Sequence, residues 1–193
     1  MINYWEGKRI LVTGGTGFIG NKLVNELRNR GAKTAYITRP HPLRTQRAQS
    51  LSLNEGIEMI LIDLINPNPI NLKEIMRERG ISHVFHLAGQ PLLGEAMNDP
   101  FSTMKLNILG TTGVLEACRL LEHDKKGTIE GIVVGSSINA YNGSKELPYL
   151  ESSPLIVDHQ FPYETSILGM DSAAVTYGRT FKLPIWIARL SNI

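Results

Sequence analysis

The chain alternates short, almost continuous apolar runs with longer stretches in which apolar residues recur every three or four positions. The short runs, such as Ile10–Val12 and Ile132–Val134, have the length and the β-branched content of strands, and the longer stretches have the period of amphipathic helices. The predicted strands lie near 9–13, 33–38, 57–62, 82–87, 129–135 and 184–189. The predicted helices lie near 18–30, 71–79, 101–122 and 162–181.

This alternation predicts a parallel sheet with helices on both faces. Strands that are apolar along their whole length are typical of parallel sheets that helices cover on both sides. Right-handed crossovers then give a doubly wound α/β sheet, a three-layer α/β/α Rossmann fold with its ligand crevice at the carboxyl ends of the strands. The 193 residues fit one domain, 1–193. Pro40 and Pro42 predict a loop after the second strand, and 138–160 is predicted to be a long irregular connection.

The turn after the first predicted strand carries the clearest chemical signal, the sequence TGGTGFIG at 13–20. Gly14 allows a sharp turn, Gly17 allows the backbone to approach a pyrophosphate, and Gly20 allows the helix to pack close to its strand. The helix N-terminus then offers free N–H groups to the phosphates. The turn therefore predicts dinucleotide binding, with a purely structural turn as the alternative. Three more residues of this turn are expected to line the dinucleotide: Thr16, Phe18 and Ile19.

Composition excludes several other classes of protein. The net charge of +2 is too small to indicate a nucleic-acid partner or a membrane surface, and no apolar run is long enough to span a bilayer. The N-terminus lacks the apolar region of a secretory signal, so a cytoplasmic location is expected. The single cysteine, Cys118, fits a reducing compartment and is predicted to be a small core residue rather than a nucleophile. No metal site is predicted.

The distribution of charge bears on the choice of dinucleotide. From Leu27 through Asn54 there is no acidic residue, whereas six cations fall in this window. An acid about 20 residues beyond the glycines normally holds the ribose 2′-hydroxyl of NAD, and an arginine there accommodates the 2′-phosphate of NADP. Arg39 follows the second predicted strand, so the cofactor is predicted to be NAD(P), with NADP slightly favoured. The alternative is an ordinary solvated face.

Several ordered motifs together resemble the extended short-chain dehydrogenase/reductase superfamily, in particular the NAD(P)-dependent epimerases and dehydratases that act on nucleotide sugars. The motifs are TGGTGFIG, Asp63-Leu64, HVFHLAG at 83–89, Asp99-Pro100, Asn107 with Gly110-Thr111 and Leu115-Glu116-Ala117, VVGSS at 133–137, PYETS at 162–166 and LPIWIARLSNI at 183–193. The resemblance runs through nearly the whole chain. The opening, YWEGKRILVTGGTGFIG, is most similar to the CDP-glucose 4,6-dehydratase branch.

The resemblance assigns further residues to the cofactor. Asp63 would accept a hydrogen bond from the adenine amino group, with the Leu64 backbone beside it. Three residues after the fourth strand would line the cofactor: Leu87, Ala88 and Gly89. Asn107, also placed at the cofactor site, would help to fix the active-site helix. The alternatives are that Asp63 forms a turn and that Asn107 is a buried polar group satisfied by the backbone.

The resemblance also implies a reaction in which hydride passes from a sugar carbon to the nicotinamide. Ser137 would hold the sugar oxygen, and Tyr163 would be the acid/base. The family lysine four residues after the tyrosine is replaced by Ile167. A tyrosine with no cation beside it has a pKa of about 10, so only about one in a thousand is ionised at neutral pH. Positioned acid–base catalysis contributes about 10²–10⁴-fold, and much of this is at risk here.

The departures leave two functions open. One is an NAD(P)-dependent epimerase/dehydratase-type oxidoreductase acting on a nucleotide sugar, and the other is a catalytically impaired dinucleotide-binding module. Tyr141 and Lys145 also have tyrosine–lysine spacing, but they lie in a predicted loop. Ile138 and Asn139 stand where dehydratases carry an acid, which favours epimerase-like or simple redox chemistry over elimination.

Family members continue beyond strand six, so the chain is expected to lack most of the C-terminal substrate lobe. A homodimer would form through the helices at 101–122 and 162–181. The second of these helices carries an apolar row that fits either a dimer seam or the core: Ile167, Leu168, Met170, Ala173 and Ala174.

Overall fold

The computed structural model describes residues 3–51, 53, 56–124, 128–141, 147–155, 158 and 160–191. The strands are β1 (Arg9–Thr13), β2 (Lys33–Thr38), β3 (Glu58–Leu61), β4 (His83–His86), β5 (Gly131–Ser137) and β6 (Ile185–Leu190). The helices are α1 (Phe18–Asn29), α2 (Pro42–Ser50), α3 (Pro69–Arg79), α4 (Leu93–Asn98), α5 (Pro100–Met104), α6 (Thr111–His123) and α7 (Pro162–Phe181). A π-helical turn, Lys105–Gly110, joins α5 to α6, and a 3₁₀ turn, Ile138–Tyr141, follows β5.

The six strands form one sheet in the order β3-β2-β1-β4-β5-β6, and every paired neighbour is parallel. This confirms the predicted doubly wound Rossmann fold. The direction in which strands are added to the sheet reverses between β1 and β4. The chain continues from β1 to β2 on one side of this point, and from β4 to β5 on the other side. In such sheets the ligand crevice lies at this reversal, outside the carboxyl ends of the strands.

Apolar residues on the two faces of the sheet form two separate cores. On one face, Ile10 and Val12 of β1 pack with Val24 of α1 and Ala48 of α2. On the other face, the helices α3, α6 and α7 bury a larger cluster that includes Leu11. Successive strand residues therefore alternate between the two cores, which explains why β1 is apolar throughout.

The structure differs from the sequence prediction mainly in the helices. The predicted loop after β2 contains α2, because Pro42 occupies the first helical position, where no backbone N–H is needed. His41 caps this helix by accepting a hydrogen bond from the Leu43 N–H at 3.3 Å. The predicted helix at 101–122 is divided into α5, the π-helical turn and α6, and the prediction did not include α4. The irregular stretch after β5 begins with the 3₁₀ turn.

Candidate dinucleotide and catalytic site

The glycine turn between β1 and α1 is packed too closely to admit side chains. Gly14 has a φ of +73°, and a Cβ there would lie 2.9 Å from the backbone of Leu87 and Ala88. A Cβ on Gly20 would lie only 2.2 Å from the Gly14 carbonyl oxygen, which also accepts a hydrogen bond from the Gly17 N–H at 2.8 Å. The turn is therefore sharp at Gly14 and closely packed at Gly20, and the approach of a pyrophosphate at Gly17 stays a prediction.

The N-terminus of α1 is open to an anion. Gly17 is the N-cap residue, no side chain caps the helix, and its first turn contains no acidic residue. The first N–H groups of a helix have no partner within the helix, and the helix dipole favours negative charge at this end. This end of α1 is therefore suited to a phosphate group.

The remaining residues of the turn divide between the protein interior and its surface. Thr16 is buried, and its hydroxyl lies 3.1 Å from the Thr38 hydroxyl at the end of β2, so its side chain ties the turn to the sheet. Phe18 and Ile19 are 58% and 37% exposed at the start of α1. The extra glycine, Gly15, is explained by packing, since a Cβ there would lie 2.5 Å from the Cβ of Tyr36.

A basic cluster follows β2. Arg39 is exposed directly after the strand, and Arg44 is half-buried on α2. Partial burial is the main cause that lowers the pKa of Arg44, and the positive charges of Arg39 and Arg47 lower it further. The Arg44 guanidinium is therefore near enough to those of Arg39 and Arg47 to be repelled by both, and an anion bound beside it would relieve that repulsion.

Asp63 and Leu64, which follow Ile62 after the end of β3, have structural roles. An Asp63 carboxylate oxygen accepts a hydrogen bond from the Ile65 N–H at 3.0 Å, which makes Asp63 the turn former that the sequence left as an alternative. Leu64 is buried in the larger core, and its carbonyl oxygen would lie 2.9 Å from a Cβ on Gly110. The second carboxylate oxygen of Asp63 takes no part in the Ile65 hydrogen bond.

The segment after β4 lies between the glycine turn and Asn107. The N–H groups of Leu87 and Ala88 donate to the Thr13 hydroxyl at 3.2 and 3.1 Å. A Cβ on Gly89 would lie 3.2 Å from the side-chain oxygen of Asn107. The segment is thus held close to the last residue of β1.

Asn107 is fully buried, and its side chain is satisfied within the protein. Its oxygen accepts from the Gln90 N–H at 2.8 Å, and its amide nitrogen donates to the Gln90 carbonyl at 3.2 Å and to the Ser166 hydroxyl at 2.8 Å. Both amide hydrogens are used, so the side chain has no donor left for a cofactor. Asn107 instead ties the segment after β4 to α7, which agrees with a role in fixing the active-site helix.

Ser137 and Tyr163 lie on segments that pack together. Ser137 ends β5, and its hydroxyl accepts from the Asn139 N–H at 3.2 Å at the start of the 3₁₀ turn. Tyr163 is the second residue of α7 and is mostly buried in the larger core, which also contains Ala140 of that turn. α7 packs against both β5 and the 3₁₀ turn.

Ile167, one turn beyond Tyr163, is part of the same core and only 6% exposed. Met170 and Ala174 of the predicted apolar row are also buried in this core, whereas Leu168 and Ala173 are half-buried. Most of the row therefore packs inside the protein. Position 167, where the resemblance implies a lysine, has apolar neighbours here.

Tyr141 has a structural environment that the sequence did not predict. Its hydroxyl accepts a short hydrogen bond from Arg189 of β6, whose guanidinium also lies 4.9 Å from the centre of the tyrosine ring. Arg189 forms a bidentate ion pair with the fully buried Asp171, with distances of 2.8 and 2.9 Å, and Asp171 accepts from the Ser136 hydroxyl at 2.9 Å. Lys145 lies outside the described residues.

Cys118 is fully buried beside Met76, and burial raises the pKa of its thiol to about 12. This confirms the prediction of a core residue. Within the described ranges there is no group of three or more His, Cys, Asp or Glu side chains placed to hold a metal ion. Nor does any helix in the described part of the chain have the length and hydropathy needed to cross a membrane.

The sheet order, the glycine turn and the Ser137 and Tyr163 segments define the class: an extended short-chain dehydrogenase/reductase of the nucleotide-sugar epimerase/dehydratase kind. The model of the family described as GDP-mannose 4,6 dehydratase matches residues 11–193, and the chain belongs to that family.

The relatives that the chain matches include both dehydratases and epimerases. It is 29% identical to the CDP-glucose 4,6-dehydratase of Salmonella typhimurium over 154 residues, which cover 79% of this chain and 41% of that enzyme. It is 28% identical to the human UDP-glucose 4-epimerase over 156 residues, which cover 76% of this chain and 42% of that enzyme.

Two solved structures have the same fold. The epimerase Mth375 of Methanothermobacter thermautotrophicus has a TM-score of 0.81 at 25% identity and covers 97% of this chain and 52% of its own. The UDP-glucose 4-epimerase of Thermus thermophilus, solved in complex with NAD, has a TM-score of 0.77 at 27% identity and covers 94% and 54%. The chain thus spans about half the length of these relatives.

Proposed function

We propose that the chain binds a nicotinamide dinucleotide at the glycine turn and serves an NAD(P)-dependent epimerase/dehydratase-type oxidoreductase that acts on a nucleotide sugar. The observation that carries this proposal is the glycine turn itself. It excludes side chains at Gly14 and Gly20 and leaves the N-terminus of α1 uncapped. A merely structural turn needs no uncapped helix end, whereas a pyrophosphate does.

The residues along the crevice fit the rest of the cofactor. Asp63 has a carboxylate oxygen outside its turn hydrogen bond that would accept from the adenine amino group. Segment 87–89 would line the dinucleotide as the sequence predicts. Arg39, supported by Arg44, would hold a ribose 2′-phosphate, so we propose that NADP is preferred over NAD. When bound, the cofactor would accept a hydride from a sugar carbon.

Two side chains would contact the substrate oxygen, one by a hydrogen bond and the other as the proton acceptor. The Ser137 hydroxyl would hold it by a hydrogen bond, and the Tyr163 hydroxyl would take its proton as the hydride leaves. Without a lysine at position 167, a larger share of the proton-transfer barrier remains. We therefore expect turnover to fall below that of an enzyme with a fully assisted tyrosine by part of the about 10²–10⁴-fold that positioned acid–base catalysis contributes.

A second candidate function is dinucleotide binding without turnover. It is favoured by one observation, the burial of Ile167 in the apolar core beside Tyr163. This environment excludes water and offers no positive charge from position 167 to stabilise a tyrosinate.

The experiment that tests both candidates has two steps. Titration with NADPH and NADH, followed by nucleotide fluorescence, should show saturable binding, and absence of binding would refute the proposed function. Conversion of UDP-, CDP- or GDP-sugars in the presence of NADP or NAD is then followed by chromatography of the sugar products, because an epimerase or dehydratase leaves no net reduced nicotinamide to measure. Turnover by the wild type would refute the second candidate. No turnover by the wild type, together with turnover by Ile167→Lys, would support it.

The cofactor preference has its own test. Losing the hydrogen bonds of one charged group costs about 1.5–3 kcal/mol, which is about a 10- to 150-fold change in affinity. Arg39→Asp should therefore lower the affinity for NADPH by this factor and leave the affinity for NADH within about twofold of the wild-type value. Arg77→Asp makes the same change in net charge on α3, at a residue that pairs with Glu74 and is not part of the basic cluster, and should alter neither affinity. Equal affinities for both nucleotides in the wild type would contradict the preference.

We further propose a homodimer through the helices at 101–122 and 162–181. Large apolar side chains remain on the surface of these helices: Phe101 is 72% exposed, Leu109 50% and Phe181 46%. Covering them would remove apolar area from water, which drives association. Sedimentation at micromolar concentration should detect a dimer that Phe101→Asp dissociates, and a wild-type monomer would refute this.

A further inference from the structure

A chain of buried hydrogen bonds runs from the end of β1 to the first turn of α7. The Thr13 hydroxyl lies 2.8 Å from Nδ1 of His86, and Nε2 of His86 lies 2.9 Å from the Thr111 hydroxyl. Thr111 donates to the Asn107 carbonyl at 2.6 Å. The Asn107 side chain donates to Ser166, and Ser166 donates to the Tyr163 carbonyl at 2.6 Å. We name these residues the buried network: Thr13, His86, Thr111, Asn107 and Ser166, each at most 1% exposed.

The two carbonyl groups fix the direction of every hydrogen bond, because a carbonyl oxygen can only accept. The single hydroxyl proton of Thr111 is used on the Asn107 carbonyl, so Thr111 must accept from Nε2 of His86. Nε2 of His86 therefore carries a proton, and in the neutral imidazole Nδ1 accepts from the Thr13 hydroxyl. The lone pairs of Thr13 then accept from the N–H groups of Leu87 and Ala88.

Burial supports the same protonation state. His86 is fully enclosed, and desolvation lowers its pKa to about 4. A second proton on the ring would need an acceptor, but among the described residues Nδ1 faces the Thr13 hydroxyl, which already accepts from the N–H groups of Leu87 and Ala88. The ring is thus neutral at physiological pH and acts as a fixed bridge between β4 and α6.

We propose that His86 and Thr111 are positioning residues of the site. Together they hold the backbone segment 87–90 in a fixed relation to Tyr163, because Asn107 connects that segment to Ser166 and thus to the first turn of α7. This inference rests on the proposed function only for the role of Tyr163. The adenine half of the dinucleotide would be held by groups outside this network, at α1, Arg39 and Asp63.

The first test needs no cofactor. In ¹⁵N-labelled protein, the long-range ¹H–¹⁵N spectrum of His86 should show a protonated Nε2 and an unprotonated Nδ1 from pH 5 to pH 8. The valine side chain of Thr111→Val has nearly the same shape as threonine but has no hydroxyl to accept from His86 or to donate to Asn107. This variant should therefore shift the amide signals of Gln90, Ser166 and Tyr163. Thr111→Ser retains the hydroxyl and should leave these signals close to wild type. An Nδ1–H tautomer, or shifts confined to the neighbours of position 111, would overturn the proposal.

The second test separates positioning from general stability. The affinities for NADPH and for 2′-phospho-ADP-ribose, which lacks the nicotinamide, are compared in the same variants. Thr111→Val should lower the affinity for NADPH about tenfold more than the affinity for 2′-phospho-ADP-ribose, which is the effect of about one hydrogen bond. Thr111→Ser should restore the wild-type ratio of the two affinities. Equal weakening of both ligands would show a merely structural role and overturn the proposal.

A milder variant protects the tests against misfolding. Ser166→Ala removes the last step of the network in a helix, where alanine is well tolerated, and should give the same selective loss of NADPH affinity. If the ratio of the affinities for NADPH and for 2′-phospho-ADP-ribose is unchanged in this variant, the proposal would also be overturned. Failure of the wild type to bind either ligand would instead refute the proposed function, and the cofactor-free spectra would still decide whether the network is formed.

Discussion

Acidification should destabilise the fold through His86 in a predictable way. Burial lowers the pKa of this imidazole from about 6.5 to about 4 in the folded protein. In the unfolded chain the ring takes up a proton below about pH 6.5, whereas the folded protein does not do so until about pH 4. The stabilising contribution of the neutral ring is therefore complete above pH 6.5, falls between pH 6.5 and pH 4, and is constant below pH 4.

The magnitude follows from the width of this window. A span of about 2.5 pH units, at about 1.4 kcal/mol for each, gives about 3 kcal/mol of unfolding free energy lost between pH 7 and pH 4. Folded domains are typically stable by about 5–15 kcal/mol, so a loss of this size is readily measured.

The assay is urea unfolding followed by circular dichroism at several pH values, with His86→Gln as the reference. Glutamine does not titrate, so the stability difference between wild type and variant should shrink by about 3 kcal/mol from pH 7 to pH 4. Burial also lowers the pKa of His83, but this residue is present in both proteins and its contribution cancels. A stability difference that does not change with pH would refute the reasoning.

Three further predictions test single contacts. Asp171→Asn leaves the Arg189 guanidinium without its charged partner and should lower the unfolding free energy by about 3–5 kcal/mol in urea titrations, and a loss below 1 kcal/mol would contradict a buried pair. Gly20→Ala forces a Cβ to within 2.2 Å of a backbone oxygen and should abolish dinucleotide binding, whereas Gly94→Ala, which meets no atom within 4 Å, should leave binding unchanged. The Cys118 thiol should resist alkylation at pH 8 until denaturant is added, and rapid labelling of the folded protein would show that it is accessible.

The strands were predictable because each is an apolar run with a clear start and end. The predicted boundaries of β1 and β2 are the observed ones, since charged or glycine residues flank both runs. The helix α2 was missed because its sequence, PLRTQRAQS, has one buried residue, Ala48, and no apolar period. The π-helical turn was missed for a different reason: it keeps the polar–apolar pattern of a helix, and its different backbone hydrogen bonding leaves no mark on the sequence.

The site was predictable where one local segment determines it. The sharp turn at Gly14 and the close packing at Gly20 follow the sequence pattern, because the atoms that exclude a Cβ there are adjacent in the chain or at the next strand end. The buried network joins residues separated by 73, 25 and 59 positions, and no local pattern indicates such pairs. Asp171 and Arg189 were missed for the same reason, since an acid on a helix and an arginine on a strand are ordinarily exposed.

The glycine turn and the surroundings of Tyr163 depend on different kinds of contact, and this explains how one of them can change without the other. The glycine turn is specified by backbone atoms that touch one another, so almost any side chain there disrupts it. The position of Ile167 is specified by apolar neighbours, and an isoleucine satisfies them without altering the helix around it. An isoleucine in place of the lysine that the resemblance implies would therefore leave Tyr163 without a charge from position 167, while the α1 N-terminus and the buried network remain intact. The proposed dinucleotide binding and the proposed proton transfer would thus be separable in this fold, and we expect binding to persist where turnover is reduced.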